Sequence, residues 1–261
     1  MNSIAKPAGI AVLLEWNYSP PNFFEVPIVL ARDDYTLSIS DGMATATIEA
    51  DVFDISPTMG DDLHEALRGR FLAEQLLTEK PFELLKPHKT RVHPDGHRDI
   101  FVEAEAGHLR LSGGQLDVVI ANAAGEVLVD TKKERVERKA ALSELIAARR
   151  ATDSLLRALL SSFDGAMRDP NNELVHLFEI RDALQTRFGR GLATRNALGI
   201  SEPSWRRFGD LCNDEPLRQG RHRGKSGSAL RDATESELEE VRSIARNMIE
   251  AYLRRRASPS P

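Results

Sequence analysis

Alternating apolar and polar residues mark the first half of the chain as β-rich. Across residues 43–54, apolar side chains occupy one parity and threonine or acidic side chains occupy the other. This period of two predicts a half-buried strand. Shorter runs around residues 10–16, 26–30 and 35–39 predict further strands, because segments rich in Pro, Asn and Asp separate them. Strand patterns on either side of Ser-Gly-Gly at residues 112–114 predict a tight hairpin.

One predicted helix interrupts this series of strands. Residues 61–79 carry apolar side chains at helical spacing, and two aspartates stand at the positive end of the helix dipole. We therefore expect residues 1–131 to form an α+β domain, in which one helix packs on an antiparallel, β-rich sheet. The apolar stripe of this helix comprises Leu63, Leu67, Phe71 and Leu76.

After Thr131 the hydrophobic period changes to that of a helix. A long helical pattern covers residues 132–167, with a break predicted near its middle. A second helix is predicted over residues 174–188, where a glycine closes it. A third, short helix is predicted to begin at Ser201, whose hydroxyl is a suitable N-cap.

The last predicted helix has the clearest start. Thr234 and Glu237 have the spacing of a capping box, and apolar residues follow at helical intervals. Four helices joined by modest connections predict an all-α, antiparallel four-helix bundle over residues 132–256. The tail, residues 257–261, contains only Ala, Ser and Pro and is expected to be disordered.

Composition narrows the class of protein. The 261 residues are 41% hydrophobic and 29% charged, which is typical of a globular chain. No apolar run approaches the roughly 20 residues that a membrane-spanning helix needs, and Glu15 and Trp16 stand where a signal peptide would have small residues. Cys212 is the single cysteine, so no internal disulfide forms, and we expect it to be a small buried residue. These features predict a cytoplasmic protein with no membrane partner.

The two halves of the chain carry opposite charge. Residues 1–131 have 10 Lys and Arg against 21 Asp and Glu, whereas residues 132–261 have 25 against 19. A basic module favours nucleic acid as a partner, although electrostatic docking between two domains produces the same asymmetry.

A cluster of cations precedes the last predicted helix. Arg218, Arg221, Arg223 and Lys225 flank His222 in a glycine-containing segment. Guanidinium groups bind phosphate through paired hydrogen bonds, and a histidine gains or loses a proton near neutral pH. In a metal-free ribonuclease, the imidazole would transfer protons while a guanidinium stabilises the charge on phosphorus. A solvated basic loop that tolerates phosphate is the alternative interpretation.

The helical half resembles the HEPN superfamily of higher-eukaryote and prokaryote nucleotide-binding domains. The resemblance rests on the four helices, on Leu-Cys-Asn at residues 211–213 and on the Arg/His element before the long final helix. It covers residues 173–253 and extends to bacterial proteins labelled as methylamine-utilisation-like. It implies a homodimer formed through the bundle and a role in bacterial defence or stress, with metal-independent ribonuclease activity in many members. Arg218 and His222 would be the motif pair, here separated by fewer residues than is usual in the family.

A second cluster of histidines lies in the β-rich half. His88, His93 and His97 fall within ten residues, together with Asp95 and Asp99. Imidazoles and carboxylates are suitable zinc ligands. The Pro-Asp-Gly sequence within this segment favours a turn, however, and polar residues of turns commonly face solvent. We therefore predict a hairpin loop here, with no metal site and no cofactor.

Four aromatic residues surround the first proline-rich turn. Trp16, Tyr18, Phe23 and Phe24 are consistent either with a binding groove or with core and rim packing. The sequence leaves both interpretations open.

Two functional hypotheses from different classes follow. In the first, a HEPN-like bundle contacts RNA or a nucleotide through Arg218, Arg221, His222 and Arg223, and the β-rich half restrains or positions it. In the second, the protein is a non-enzymatic, dimeric interaction or regulatory module whose basic loop binds an acidic partner. A metal-dependent hydrolase built on the histidine cluster is the third and weakest alternative.

Overall fold

The chain folds into two compact units, each of which is built from two segments of the sequence. A computed structural model describes residues 10–93, 98–101, 119–121, 127–223 and 229–257. We call the first unit, residues 1–71 and 82–141, the β unit, and the second, residues 72–81 and 142–261, the helical unit. The predicted domain boundary after residue 131 stays a prediction.

Antiparallel strands make up the sheet of the β unit, as the sequence pattern predicts. The strand order is β2-β3-β4-β1-β6-β7, and the short β5 pairs with the end of β1. A separate two-stranded sheet contains β8 and β9. The strands are β1 (Ala11–Ser19), β2 (Ile28–Ala31), β3 (Tyr35–Ser40), β4 (Met43–Glu49), β5 (Glu83–Leu84), β6 (His88–Val92), β7 (Arg98–Phe101), β8 (Val119–Ala121) and β9 (Val127–Asp130).

Large and small side chains alternate across the central pair of strands. In the register of β1 and β4, Trp16 lies opposite Ala44 and Leu14 lies opposite Ala46. All four side chains are buried, which explains why one parity of each strand is apolar. Small residues opposite large ones leave room for the Trp16 ring within the sheet face.

Helix α2 (Met59–Thr78) begins in the β unit and packs against this face. The indole Nε1 of Trp16 donates a hydrogen bond to Nδ1 of His64 at 3.1 Å, and burial lowers the pKa of His64. Phe71 is fully buried and is surrounded by other rings. Their centroids lie 4.7 to 5.2 Å from that of Phe71, and the rings belong to Tyr18, Phe23, Phe24 and Phe82.

This cluster decides between the two interpretations of the aromatic residues. Trp16, Tyr18 and Phe23 are buried core residues, and Phe24 packs on Phe71 at the edge of the cluster. They are therefore packing residues rather than the lining of a groove.

The strand predicted over residues 43–54 is too long. β4 ends at Glu49, and residues Ala50–Ile55 form a short helix, α1, so that the β unit contains a helix that the sequence pattern did not predict. The partners explain this end, because β3 begins opposite Ile48 and β1 begins opposite Glu49. Beyond that point a strand would have no neighbour on either side, and a helix satisfies its own backbone hydrogen bonds. The predicted Ser-Gly-Gly turn at residues 112–114 lies outside the described residues.

The helical unit contains more elements than the four predicted helices. The long predicted helix breaks near its middle, as expected. The amide of Leu156 donates a hydrogen bond to the side chain of Asp153, which thus caps the start of the second part. The short helix α6 was not predicted. The elements are α3 (Thr131–Arg150), which begins in the β unit, α4 (Ser154–Arg168), α5 (Glu173–Phe188), α6 (Leu192–Leu198), α7 (Glu202–Gly209), a π-helical turn (Asp210–Asp214) and α8 (Glu235–Ala257).

Helix α5 lies at the centre of the helical unit, where it packs against both α4 and α8. Its apolar residues Leu177, Ile180 and Leu184 are fully buried. Their spacing of three and four residues places them on one face of the helix. A mixed α+β chain with a helix-rich second unit is thus established, whereas a bundle of HEPN type stays a prediction.

The predicted capping box of α8 is present. The amide of Glu237 donates to Oγ1 of Thr234, and the amide of Thr234 donates to Oε2 of Glu237. Arg231 adds two hydrogen bonds of 2.8 Å to the same carboxylate. These bonds to Arg231 lower the pKa of Glu237 from its ordinary 4.5 to about 2.

We expect the substitution Glu237→Gln to remove part of the acid sensitivity of folding. A depressed pKa in the folded state adds stability above pH 4.5, and this stability is lost as the pH falls towards 2. The variant should therefore be less stable than wild type by about 2 kcal/mol at pH 7. The difference in the free energy of unfolding between wild type and Glu237→Gln should shrink as the pH falls from 4.5 to 2.

Urea unfolding at several pH values measures this difference. Glu202→Gln, in which the exposed carboxylate of α7 is replaced, is the matched control and should change little. If the stability difference between wild type and Glu237→Gln stayed constant between pH 4.5 and 2, the low pKa of Glu237 would be contradicted.

Candidate nucleic-acid interface of the helical unit

The predicted cationic segment forms a turn that the backbone holds in place. We call residues 218–223 the basic turn. The amide of Arg221 donates to the carbonyl of Cys212 at 3.0 Å, and the amide of Arg218 donates to the carbonyl of Arg231 at 2.9 Å. Leu217, which is buried, anchors the start of the turn. The turn is thus fixed to both the π-helical turn and the residues before α8.

Arg221 lies against helix α5. Its guanidinium carbon is 4.8 Å from the centroid of the Phe178 ring, and Nη1 is 2.9 Å from Oδ2 of Asp182. Both members of this ion pair are about half exposed, so solvent screens their attraction. A cation over an aromatic face and beside one exposed carboxylate remains able to bind another anion.

Arg223 is held by neutral oxygen atoms. Its Nε donates to the carbonyl of Gly220 at 2.9 Å, and its Nη2 donates to the carbonyl of Asn171 at 3.2 Å and to the side-chain oxygen of Asn172. Within the described part of the chain no carboxylate pairs with this guanidinium, and Nη1 makes no hydrogen bond. The side chain is therefore positioned while its charge is not neutralised.

The acceptors of Arg223 belong to a wider polar network. Nδ2 of Asn172 donates to Asp169 at 2.7 Å, and this bond is the main reason why the pKa of Asp169 lies below its ordinary value. Nε2 of His176 lies 3.7 Å from Oδ2 of Asp169, and its Nδ1 lies 3.9 Å from Oε2 of Glu179. The nearest carboxylate in this network is thus separated from Arg223 by the amide of Asn172.

Arg218 and His222 lie in the same turn but have different surroundings. Arg218 is 64% exposed, and its Nε is 3.7 Å from Oδ1 of Asp232, which is also exposed. His222 is partly exposed, and none of the residues described by the structure forms a hydrogen bond or ion pair with its ring. Lys225 lies outside the described residues.

Three neighbouring residues of α5 complete the candidate interface, although no sequence motif indicated them, and the first of them, Phe178, is buried. Phe178 and Asp182 contact Arg221, and Arg181 packs beside them, with its guanidinium carbon 5.5 Å from the Phe178 ring. Their spacing of three and four residues places them on one side of a helix, which is the only signal the sequence contains.

Cys212 is a packing residue, as expected. Its side chain is fully buried, and burial raises the pKa of the thiol. A neutral, inaccessible thiol is neither a nucleophile nor a metal ligand.

The histidine cluster of the β unit gains no support as a metal site. His88 lies on β6 and His93 follows it, but His97 and Asp95 lie outside the described residues. Among the residues that the structure describes, no group of three histidine, cysteine or acidic side chains is arranged to hold a metal ion.

Comparison with known proteins does not assign this chain to a family. Neither the models of known protein families, nor the curated proteins, nor the solved structures contain a match. Over the described residues, every helix is too short or too polar to cross a membrane. The resemblance to the HEPN superfamily therefore rests on the sequence features given above.

Proposed function

We propose that the helical unit binds RNA through phosphate contacts made by the basic turn. The observation that carries this proposal is the environment of Arg223, whose guanidinium is fixed by three neutral acceptors and meets no carboxylate among the described residues. A fixed cation binds a phosphate without first losing side-chain freedom or breaking an ion pair.

The surroundings of the turn support RNA rather than an acidic protein. Arg221 lies over the Phe178 ring and is about half exposed, so one of its sides is accessible to a ligand. Single-stranded RNA is recognised by a combination of phosphate contacts and stacking of bases on aromatic or guanidinium planes. The excess of Lys and Arg in residues 132–261 adds a long-range attraction for a polyanion.

We expect Arg223→Gln to weaken the binding of single-stranded RNA about tenfold at moderate salt, because one charge-assisted phosphate contact is lost. The slope of log affinity against log salt should also fall by about 0.7, the value for one released counterion on a single strand. Fluorescence anisotropy of a labelled oligonucleotide at several salt concentrations measures both quantities.

Arg206→Gln is the matched control, because Arg206 is 73% exposed on α7 of the same unit and pairs with Glu202. Its RNA affinity should stay close to that of wild type. Asp182→Asn should act in the opposite direction and strengthen binding, because it removes the carboxylate that Arg221 now faces. If the Arg223 and Arg206 variants lost RNA affinity equally, the affinity would depend only on net charge. That result would contradict a specific site.

The same geometry supports binding better than metal-independent cleavage. Arg218 is exposed and faces Asp232, and the described residues provide no partner that orients His222. A general acid or base needs such an orienting partner, although a bound substrate can supply part of it. We therefore expect wild type to bind RNA and leave it intact when a chelator is in excess.

Incubation of folded wild type, His222→Ala and His176→Ala with mixed cellular RNA tests this expectation. His176→Ala controls for the loss of a histidine, because His176 is another partly exposed histidine of the helical unit; its RNA affinity is measured as well, since Asp169 links it to Asn172 and Arg223. Intact RNA in all three samples agrees with a binding module. Cleavage by wild type and His176→Ala, but not by His222→Ala, would instead make the basic turn a ribonuclease site.

The remaining properties implied by the HEPN resemblance stay proposals. These are a homodimer formed through the helical unit, a cytoplasmic location and a role in bacterial defence or stress. Neither the RNA-binding proposal nor its test depends on them, because every contact used above lies within one chain.

A further inference from the structure

Arg181 of α5 forms no ion pair with any carboxylate of the described residues. Its guanidinium carbon lies 4.4 Å from the centroid of the Trp205 ring and 5.5 Å from that of Phe178. The one hydrogen bond it makes to described residues runs from Nη1 to the carbonyl of Trp205 at 3.5 Å, the outer limit for such a bond. Two aromatic rings therefore hold this side chain, with little help from acceptors.

Most of the hydrogen-bonding capacity of Arg181 is unused. A guanidinium has five N–H donors. Nε is buried and has no partner, and Nη2 donates to none of the described residues, while the side chain as a whole is partly exposed. Asp182, Asp210 and Asp214 attract this guanidinium electrostatically, but Asp182 pairs with Arg221 and neither of the other two forms an ion pair with Arg181. Burial lowers the pKa of Arg181, but an arginine stays charged at neutral pH.

The chain provides space for this guanidinium at Gly209. A side-chain carbon at this position would lie 2.3 Å from Nη1 of Arg181, well inside van der Waals contact. Gly209 has φ of −66° and ψ of −45°, which are ordinary helical angles open to any residue. Glycine is therefore needed here for space and not for conformation, although it is a poorer helix former than alanine.

A half-buried charge that lacks a partner is costly, and the attraction of aromatic rings compensates only part of that cost. An anion from outside the chain would complete the site. Arg221 provides a second cation next to the same ring, because its guanidinium carbon lies 4.8 Å from the Phe178 centroid.

We propose that Arg181 and Arg221 together bind one phosphate group of the RNA beside the Phe178 ring. This inference rests on the proposed function and adds to it a defined phosphate subsite on α5, next to the basic turn. Arg181 supplies its free Nη2 donors, and Arg221 turns from Asp182 towards the phosphate. The buried Phe178 ring packs against both guanidinium groups.

The test compares RNA binding by wild type, Arg181→Met, Arg181→Lys and Gly209→Ala. Methionine keeps an apolar stem between the two rings but removes the charge, so affinity should fall about tenfold and the salt slope by about 0.7. Lysine restores the charge and should recover part of the affinity. Gly209→Ala displaces the guanidinium without changing any charge and should also weaken binding.

Arg195→Met is the matched control. The side chain of Arg195 is 19% exposed and its Nε is buried without a partner, as in Arg181, but its Nη2 lies 3.3 Å from Glu202. Because Glu202 already pairs with the charge of Arg195, the substitution Arg195→Met should leave the RNA affinity and the salt slope unchanged. Circular dichroism and thermal melting show whether each variant is folded under the binding conditions.

The outcomes separate this inference from the proposed function. If wild type does not bind RNA, the proposed function fails. If wild type binds RNA and folded Arg181→Met has the same affinity and salt slope, the subsite is wrong and Arg181 only packs between the rings. A lower affinity with an unchanged salt slope would also overturn it, because a phosphate contact must release a counterion.

Discussion

The buried ion pair between Glu173 and Arg242 is the constraint on which the helical unit depends. Glu173 is 2% exposed, and both its oxygens accept bonds from Arg242, at 2.6 and 2.9 Å. Removing one partner of such a pair leaves a buried charge and costs about 3–5 kcal/mol. Because Glu173 begins α5 and Arg242 lies on α8, the pair fixes these helices relative to each other. The next turns of α5 carry Phe178, Arg181 and Asp182, so the ion pair also fixes the surface that meets the basic turn.

The helical unit distributes its carboxylates unevenly among its arginines. Arg207 and Arg231 share Glu215 and Glu237, in a network that closes the start of α8 and stabilises it. Arg223, in contrast, is held by neutral oxygens alone among the described residues. The first group has a structural role that needs no ligand, because its charges are balanced within the fold. Among the described residues, Arg223 of the basic turn and Arg181 of α5 are paired with no carboxylate, and these two charges support a polyanion as the partner.

Local patterns predicted those elements whose limits are set locally. The strands predicted around residues 10–16 and 35–39 and the capping box at Thr234 appear in the structure because each depends on nearby residues, although β1 continues to Ser19. The end of β4 depends on where its two neighbours begin, and no pattern within residues 43–54 contains that information. The site has the same limitation. The basic turn was visible as a run of cations, but two of the three acceptors of Arg223 lie about fifty residues earlier in the chain.

The most direct test of the central claim is to map where RNA touches the protein. Ultraviolet crosslinking of the wild-type protein to single-stranded RNA, followed by mass spectrometry of the digested complex, identifies the contacting peptides without any substitution. The account predicts crosslinked peptides that contain Phe178 on α5 and His222 in the basic turn. Crosslinks confined to the β unit, or to helices of the helical unit other than α5, would contradict it.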